Sequence, residues 1–393
     1  MDSALCLDLD FCSRRKCNQS ANGDAFASQR IEGGRRLIAV LSDGLGSGIK
    51  ACLLATLTAR MALRFAAAGA DPERYLEVML DSLPVCRVRK IAYATFTIVD
   101  GDSEGLVRVI EEGNPPFIHL RGSSPAETAG RTVFSRRYPD RRMLISELGL
   151  AAGDRLIACS DGVTQAGMGT QRLRLGWRRE GLRDFAASAA RENPGLSSRE
   201  LGRRIVERAI ELEPNGEPLD DVSCLTLHYR RPRRLLVLTG PPYDQSRDAE
   251  YAGRLDSFPG RKAVCGGATA NLVARELGRR LELDLASFNR RSLVPPASLM
   301  EGVDLVTEGI ITLTRAAGRL ENPEAEHEED AAGRLVDLLL DSDSVEFLAG
   351  TRINEAHQDP SLPADLDIRR NILRRICEVL KTRYLKEVSL AFI

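Results

Sequence analysis

Leu37-Ile38-Ala39-Val40-Leu41-Ser42-Asp43-Gly44-Leu45-Gly46-Ser47-Gly48 runs from five apolar residues into an acidic, glycine-rich turn. Such a run reads as a buried strand, and Gly44 lets the backbone bend where Asp43 must face a ligand. Three more acidic stretches, Gly23-Asp24, Ser160-Asp161-Gly162 and Asp220-Asp221, also stand at ends of strand-like runs. Carboxylates gathered from several strand ends suit hard cations and phosphate chemistry, because Mg2+ and Mn2+ prefer oxygen donors and are often held by few carboxylates. Two such ions need a bridging carboxylate. Asp43 is the candidate bridge, with the Gly44 carbonyl as a further oxygen donor. Asp161 and Asp220 can close one ion, and Asp24 can reach the other directly or through water.

Outward from that stretch, short apolar runs at 5–11, 25–30, 92–99, 106–111, 117–121, 144–148, 156–160 and 222–229 read as strands. With 37–41 they suffice for two packed sheets. Residues 49–68 carry Leu54, Leu57, Met61 and Phe65 at helical spacing, which predicts an amphipathic helix facing a core. A second helix is expected over 71–83, capped by Asp71 with Pro72 in its first turn and ended by Pro84. Two more are expected at 181–191 and 197–212, the latter opened by Ser197 or Ser198 with Glu200 nearby. Strands and helices alternate without a strict βαβ rhythm, so the expected class is α+β, a two-sheet β-sandwich flanked by helices.

The chain has 393 residues, room for two domains of ordinary size. Lys plus Arg (55) nearly balances Asp plus Glu (56), so no global field favours nucleic acid or an anionic membrane. No apolar stretch approaches the ~20 residues of a spanning helix, and the start Met1-Asp2-Ser3 lacks signal-peptide features. The expectation is a cytoplasmic protein with no membrane and no nucleic-acid partner. Nine Cys is an odd number, and Cys52, Cys159, Cys224, Cys265 and Cys377 lie in apolar segments, which argues against a disulfide framework. The four His have no motif partners.

Arg230-Arg231-Pro232-Arg233-Arg234 is a basic, proline-interrupted bridge, after which the pattern becomes strand, Gly-rich turn, helix. The expected domains are therefore 1–231 and a smaller α/β domain, 232–393, with a parallel sheet. Its strand-end loops offer Thr239 and Gly240, then Gly266, Gly267 and Thr269, then Arg352 and Asn354. Gathered at one sheet edge, they are the candidate site for a small-molecule ligand. Equally, Gly and Pro there can simply terminate strands. The last helix is expected at 367–386 with an apolar tail at 388–393, and the acidic stretch 321–330 reads as a solvated loop.

Taken in order, Gly23-Asp24, Ser42-Asp43-Gly44-Leu45-Gly46-Ser47-Gly48, Gly113-Asn114-Pro115-Pro116, Ser160-Asp161-Gly162-Val163 and Asp220-Asp221-Val222-Ser223 resemble the blocks of a PP2C-type metal-dependent serine/threonine phosphatase. The branch they resemble is that of the bacterial sporulation stage II protein E. The resemblance covers the first ~230 residues and implies two Mn2+ or Mg2+ at one end of the sandwich. Asp43 and the Gly44 carbonyl, with Asp161, Asp220 and Asp24, take the ligand positions. It further implies a metal-activated water that attacks phosphorus in a phosphoprotein, with small phosphoserine regulators of transcription as usual substrates. Homodimerisation and a regulatory role for the helices at 49–83 also follow from the resemblance.

Two departures stand out. Leu45 occupies a position where some relatives carry a proton-donating His, and Asn18-Gln19-Ser20 replaces a phosphate-gripping Arg, with Arg14, Arg15 and Lys16 nearby but offset. Weak intrinsic phosphate affinity, or dependence on a protein substrate for binding energy, is expected. Competing readings are a catalytically weak scaffold on the phosphatase fold, and a C-terminal domain that acts on or senses a nucleotide or phosphorylated metabolite.

Overall fold

β3 (Arg36–Gly44) is buried along nearly its whole length because another strand pairs with it on each side. In the computed structural model, which describes residues 5–82, 94–138, 141–284, 292–323, 330–352 and 362–393, the chain divides into two units, Met1–Arg231 and Pro232–Ile393.

In the first unit the strands are β1 (Cys6–Arg14), β2 (Asp24–Ile31), β3, β4 (Ala94–Asp102), β5 (Leu106–Glu112), β6 (Ile118–Arg121), β7 (Ser124–Ala126), β8 (Gly130–Phe134), β9 (Arg142–Gly149), β10 (Arg155–Cys159) and β11 (Val222–Arg230). They form a six-stranded sheet, β2-β3-β4-β5-β9-β8, and a five-stranded one, β1-β11-β10-β6-β7, both antiparallel. Period-two alternation sends Ile38 and Val40 to one face of β3, where they pack with Ala55, Ala59, Ala62 and Leu63 of α1 (Gly48–Ala67) and Met79 of α2 (Pro72–Ser82). Leu37, Ala39 and Leu41 fill the opposite, equally buried face. Across the sandwich, Leu7 of β1 packs so closely on Gly101 of β4 that a Cβ there would lie 2.9 Å from its Cδ1. The five-stranded sheet is covered by α3 (Asp161–Gln165), α4 (Arg178–Glu192) and α5 (Ser198–Leu212), which bury Val163, Leu182, Ala186, Leu201 and Ile205 against Ile157 and Cys224. The Ser197 hydroxyl accepts the Glu200 N–H and caps α5, the cap expected from the sequence.

Two local readings need correction. β3 does not stop before its acidic turn but continues through Asp43 and Gly44, because Asp43 pairs with Asp24 on one side and Thr95 on the other. Ser160-Asp161-Gly162 is no free turn either, since Asp161 opens α3. The short strands β7 and β8 were not expected.

The second unit contains β12 (Arg234–Thr239), α6 (Asp248–Ser257), β13 (Arg261–Cys265), α7 (Gly267–Leu277), β14 (Leu281–Leu283), β15 (Ser298–Met300), β16 (Val303–Thr307), α8 (Ile310–Glu321), α9 (Ala331–Leu340), β17 (Ser344–Ala349), α10 (Leu362–Thr382) and β18 (Glu387–Phe392). Its sheet runs β14-β15-β16-β13-β12-β17-β18 and is mixed, not wholly parallel. Five strands are parallel, while β14 and β15 pair antiparallel at one edge. Leu236 and Leu238 pack toward α6 and α7, and Leu235 and Val237 toward α8, α9 and α10. The apolar tail expected after the last helix is strand β18. At the acidic stretch, Asp330 is not solvated: it is buried, caps α9 through the Gly333 N–H, and takes both Arg319 guanidinium nitrogens. Among the described residues no helix is long and apolar enough to cross a membrane, and the eight described cysteines are free thiols.

Candidate metal and active site

β2 begins where β3 ends, and their antiparallel register sets Asp24 directly opposite Asp43. Like charges in such a cross-strand pair repel, so the pair calls for a counter-charge. From the other sheet, β10 and β11 are neighbours with Cys159 opposite Cys224, so Asp161 just after β10 and Asp220 just before β11 emerge side by side. Ser160 ties these ends: its N–H donates to Ser223 O at 3.0 Å, and its Oγ accepts the Ser223 N–H at 3.1 Å. Gly44 N–H donates to Gly23 O at 3.1 Å, joining the first two acidic blocks. Glycine is required at 44, because a Cβ would lie 2.3 Å from Ala51 O on α1.

The carboxylates feel one another. Burial, and then the charges of Asp24, Asp161 and Asp220, push the Asp43 carboxyl up to about 9. Burial also raises Asp24 to about 7, although the Ser223 and Ser160 hydroxyls oppose the rise. Asp220 is raised by burial as well, with Asp161 adding to the rise and the Lys16 charge opposing it. Asp24 Oδ2 is buried and has no hydrogen-bond partner, an acceptor left unused.

These observations suit hard divalent cations. The donors are four carboxylates and the Gly44 carbonyl, all oxygen, and a cation among them would both relieve the Asp24–Asp43 repulsion and use Asp24 Oδ2. Among the described residues, no three His, Cys, Asp or Glu side chains already stand as a finished metal shell. Asp161 Oδ2 accepts Gln165 Nε2 at 2.8 Å, and Asp220 Oδ1 accepts the Asp221 N–H at 2.9 Å. Each bond takes one oxygen only, and a carboxylate has lone pairs enough to accept a hydrogen bond and ligate a cation at once.

Asp221, which the sequence reading took together with Asp220, has a separate task. Its Oδ1 accepts the Lys16 N–H at 2.9 Å and its Oδ2 the Gly23 N–H at 2.8 Å, so it pins the β1–β2 loop. The sequence signal was the adjacent carboxylate itself. Asn114 of the Gly-Asn-Pro-Pro block reaches the site through β4: its Oδ1 accepts from Thr95 Oγ1, its Nδ2 donates to Thr97 Oγ1, and Thr95 is the register partner of Asp43. Beneath that block, buried Glu111 accepts the Phe117 N–H at 2.7 Å, while Arg179 holds Pro116 O and Phe117 O. Burial lifts Glu111 to about 7, opposed by that N–H and by Arg179. Nothing local in the sequence marks Arg179 for this role, because α4 carries it from 62 residues away.

In the second unit, Thr239, Gly240, Gly266, Gly267 and Arg352 fall on the edge where the parallel strands end, as the register of Thr239 with Cys265 and Ala349 requires. Thr239 is fully buried and its Oγ1 has no hydrogen-bond partner. Tyr251 OH donates to Gly240 O, and Arg352 is committed to the buried Asp248 at 2.6 Å. Thr269 is buried within α7 and Asn354 lies outside the described residues.

The profile of the Stage II sporulation protein E (SpoIIE) family matches residues 33–230. No curated protein matches the sequence. Among solved structures, the chain is similar to the PP2C domain with a regulatory fragment of SpoIIE from Bacillus subtilis, at 19% identity and a TM-score of 0.45 over 57% of this chain and 64% of that one. It thus spans less than two thirds of that relative. The RsbU and RsbW domains of a Mycobacterium tuberculosis protein align at 20% identity and a TM-score of 0.48, over 64% of this chain and 70% of that chain. RsbX, solved with magnesium, aligns at 16% identity and a TM-score of 0.39, over 57% of this chain and 95% of that chain. The first unit has the PP2C fold, and the chain belongs to the SpoIIE family of metal-dependent, PP2C-type protein phosphatases.

Proposed function

We propose that this chain hydrolyses phosphoserine or phosphothreonine in a phosphoprotein, using two Mn2+ or Mg2+ held by Asp24, Asp43, the Gly44 carbonyl, Asp161 and Asp220. The observation that supports the reading most is the Asp24–Asp43 pair at the β2–β3 end, facing Asp161 and Asp220 across the sandwich with Asp24 Oδ2 unsatisfied. Bound there, the cations would supply Lewis acidity, activating water for attack on phosphorus and offsetting charge on the phosphoryl oxygens. The protein's part is orientation. Asp43 is fixed between two strands, Asp161 by the start of α3, and Asp220 by the turn into β11. Leu45 has no proton to give, so we assign protonation of the leaving alkoxide to a water that a bound cation would hold.

The substrate class we favour is a small phosphoserine regulator of transcription, and we assign the second unit a gating or targeting role. Its buried, unsatisfied Thr239 hydroxyl at a parallel-strand end supports a small ligand there. A thermal-shift screen of metabolites on the full chain tests this role, and a flat response counts against it.

The test of activity is Mn2+-dependent hydrolysis of an aryl phosphate and a phosphoserine peptide by the full chain. Asp43→Ala and Asp161→Ala are expected to lose at least ~100-fold in kcat. A wild type inert on both substrates leaves the scaffold reading.

A further inference from the structure

We propose that Asn114 is a positioning residue for Asp43: it takes the one proton of the Thr95 hydroxyl, which would otherwise turn the Asp43 carboxylate away from the metal site. The proposal rests on the metal site of the phosphatase reading above.

Thr95, the second residue of β4, stands directly opposite Asp43. Cross-strand partners share a face with Cβ atoms about 4.5–5.5 Å apart, which puts the Thr95 hydroxyl within reach of the carboxylate. The shared face is the one opposite α1, where the next pair, Leu41 and Thr97, is fully buried. Asp24 occupies the other flank of Asp43. Its negative charge pushes the Asp43 carboxylate toward β4, and a hydroxyl proton there would hold it, because hydrogen bonds to ionised groups are the stronger kind. Such a bond leaves lone pairs for a cation but fixes where the carboxylate points. A carboxylate that bridges two ions needs an oxygen for each, and the other donors stand on β2 and on the facing sheet, not on β4.

Asn114 removes the competing proton. Its Oδ1 accepts from Thr95 Oγ1, and its Nδ2 donates to Thr97 Oγ1 at 3.1 Å, which fixes the amide oxygen toward Thr95. A hydroxyl has a single proton, so a Thr95 turned to Asn114 has none for Asp43. Asn114 is buried, so solvent does not contest that proton. The turn that carries it is moulded on Thr95: Gly113 has a φ of +80°, and a Cβ there would collide with the Thr95 side chain. Ser42 Oγ donates to Thr95 O at 2.8 Å and holds the same residue from β3. Glu111 and Arg179 brace the far end of the turn.

The experiment compares wild type, Thr95→Val, Asn114→Leu and the Asn114→Leu/Thr95→Val double variant as full chains. The readouts are Mn2+ affinity by calorimetry, the metal-free melting temperature, and hydrolysis of an aryl phosphate at low and at saturating Mn2+. A hydrogen bond to a charged group that must be undone is worth about tenfold or more. Asn114→Leu should bind Mn2+ more weakly by about that factor and recover most of its hydrolysis at saturating Mn2+. Thr95→Val should bind Mn2+ within about twofold of wild type, and the double variant should return to that range although it melts as low as Asn114→Leu. That rescue separates positioning from packing, because a merely structural Asn114 would leave the double variant as weak as the single one. Unchanged Mn2+ binding in Asn114→Leu, weakened binding in Thr95→Val, or a double variant without rescue would each overturn the proposal. If Asn114→Leu does not fold, Asn114→Ala takes its place with the same expectations. A wild type that binds Mn2+ but hydrolyses nothing removes the phosphatase reading alone, and the Mn2+ affinities still decide for or against Asn114. A wild type that binds no Mn2+ overturns both.

Discussion

Gly44 shows how one hydrogen atom can govern a site. A methyl group there would sit 2.3 Å from Ala51 O and 2.9 Å from Gly23 O, so Gly44→Ala must push α1 or the β2–β3 end outward. Overpacking of this kind costs about 1–3 kcal/mol. We expect a lower melting temperature together with weaker calorimetric Mn2+ binding, and a variant equal to wild type in both would refute the tight-fit argument. His228 carries a second residue-scale prediction. It is buried, its Nδ1 lies 3.2 Å from Leu196 O, and burial, reinforced by the Arg155 charge, lowers it to about 3. A folded pKa below the unfolded value of about 6.5 means its stabilisation is complete above that pH and is lost as the pH falls from there toward about 3. The loss is at most about 1.4 kcal/mol per pH unit. His228→Gln should therefore show a shallower fall in stability between pH 7 and pH 5, and parallel urea-midpoint profiles would contradict this.

At the scale of elements, the acidic blocks are located by where strands end. Those ends were legible because Leu37 to Leu41 and Leu156 to Cys159 are continuous apolar runs, as a strand buried on both faces must be. Less legible was the continuation of β3 through Asp43, since pairing with Asp24 and Thr95 overrides the turn preference of an Asp-Gly sequence. β18 was read as a tail because an edge strand gains its identity from its neighbour, here β17. Asp330 was misread for a related reason: its acidic surroundings suggest solvent, but Arg319 and the α9 N-terminus claim it. Asp330→Ala removes a helix cap and leaves the nearly buried Arg319 unpaired, which should cost roughly 3–5 kcal/mol. Chemical denaturation should register that loss, and a change below about 1 kcal/mol would show that the pair is dispensable.

For the whole molecule, each described cluster of core residues lies within one unit or the other, which predicts two unfolding events. The clusters around α1 to α5 draw only on residues before 231, and those around α6 to α10 only on residues after 232. Calorimetry should resolve two transitions, one moved by Asp330→Ala and the other by His228→Gln. A fragment spanning residues 1–231 should reproduce the second of these and hydrolyse an aryl phosphate with Mn2+. A single transition for the full chain with an unfolded fragment would refute independent folding.

By itself the sequence determined that its apolar runs suffice for two packed sheets and meet acidic residues at their ends, because burial periodicity and carboxylate chemistry are local properties, while the family was legible through the resemblance of its ordered blocks. Only the tertiary structure decided that Asp24 opposes Asp43, that Asp221 clamps a loop, and that Arg179 and Glu111 brace the Gly-Asn-Pro-Pro block. These depend on strand register and on contacts between residues as many as 205 positions apart. No window of sequence contains both partners of such a contact, so its geometry exists only once the sheets have closed.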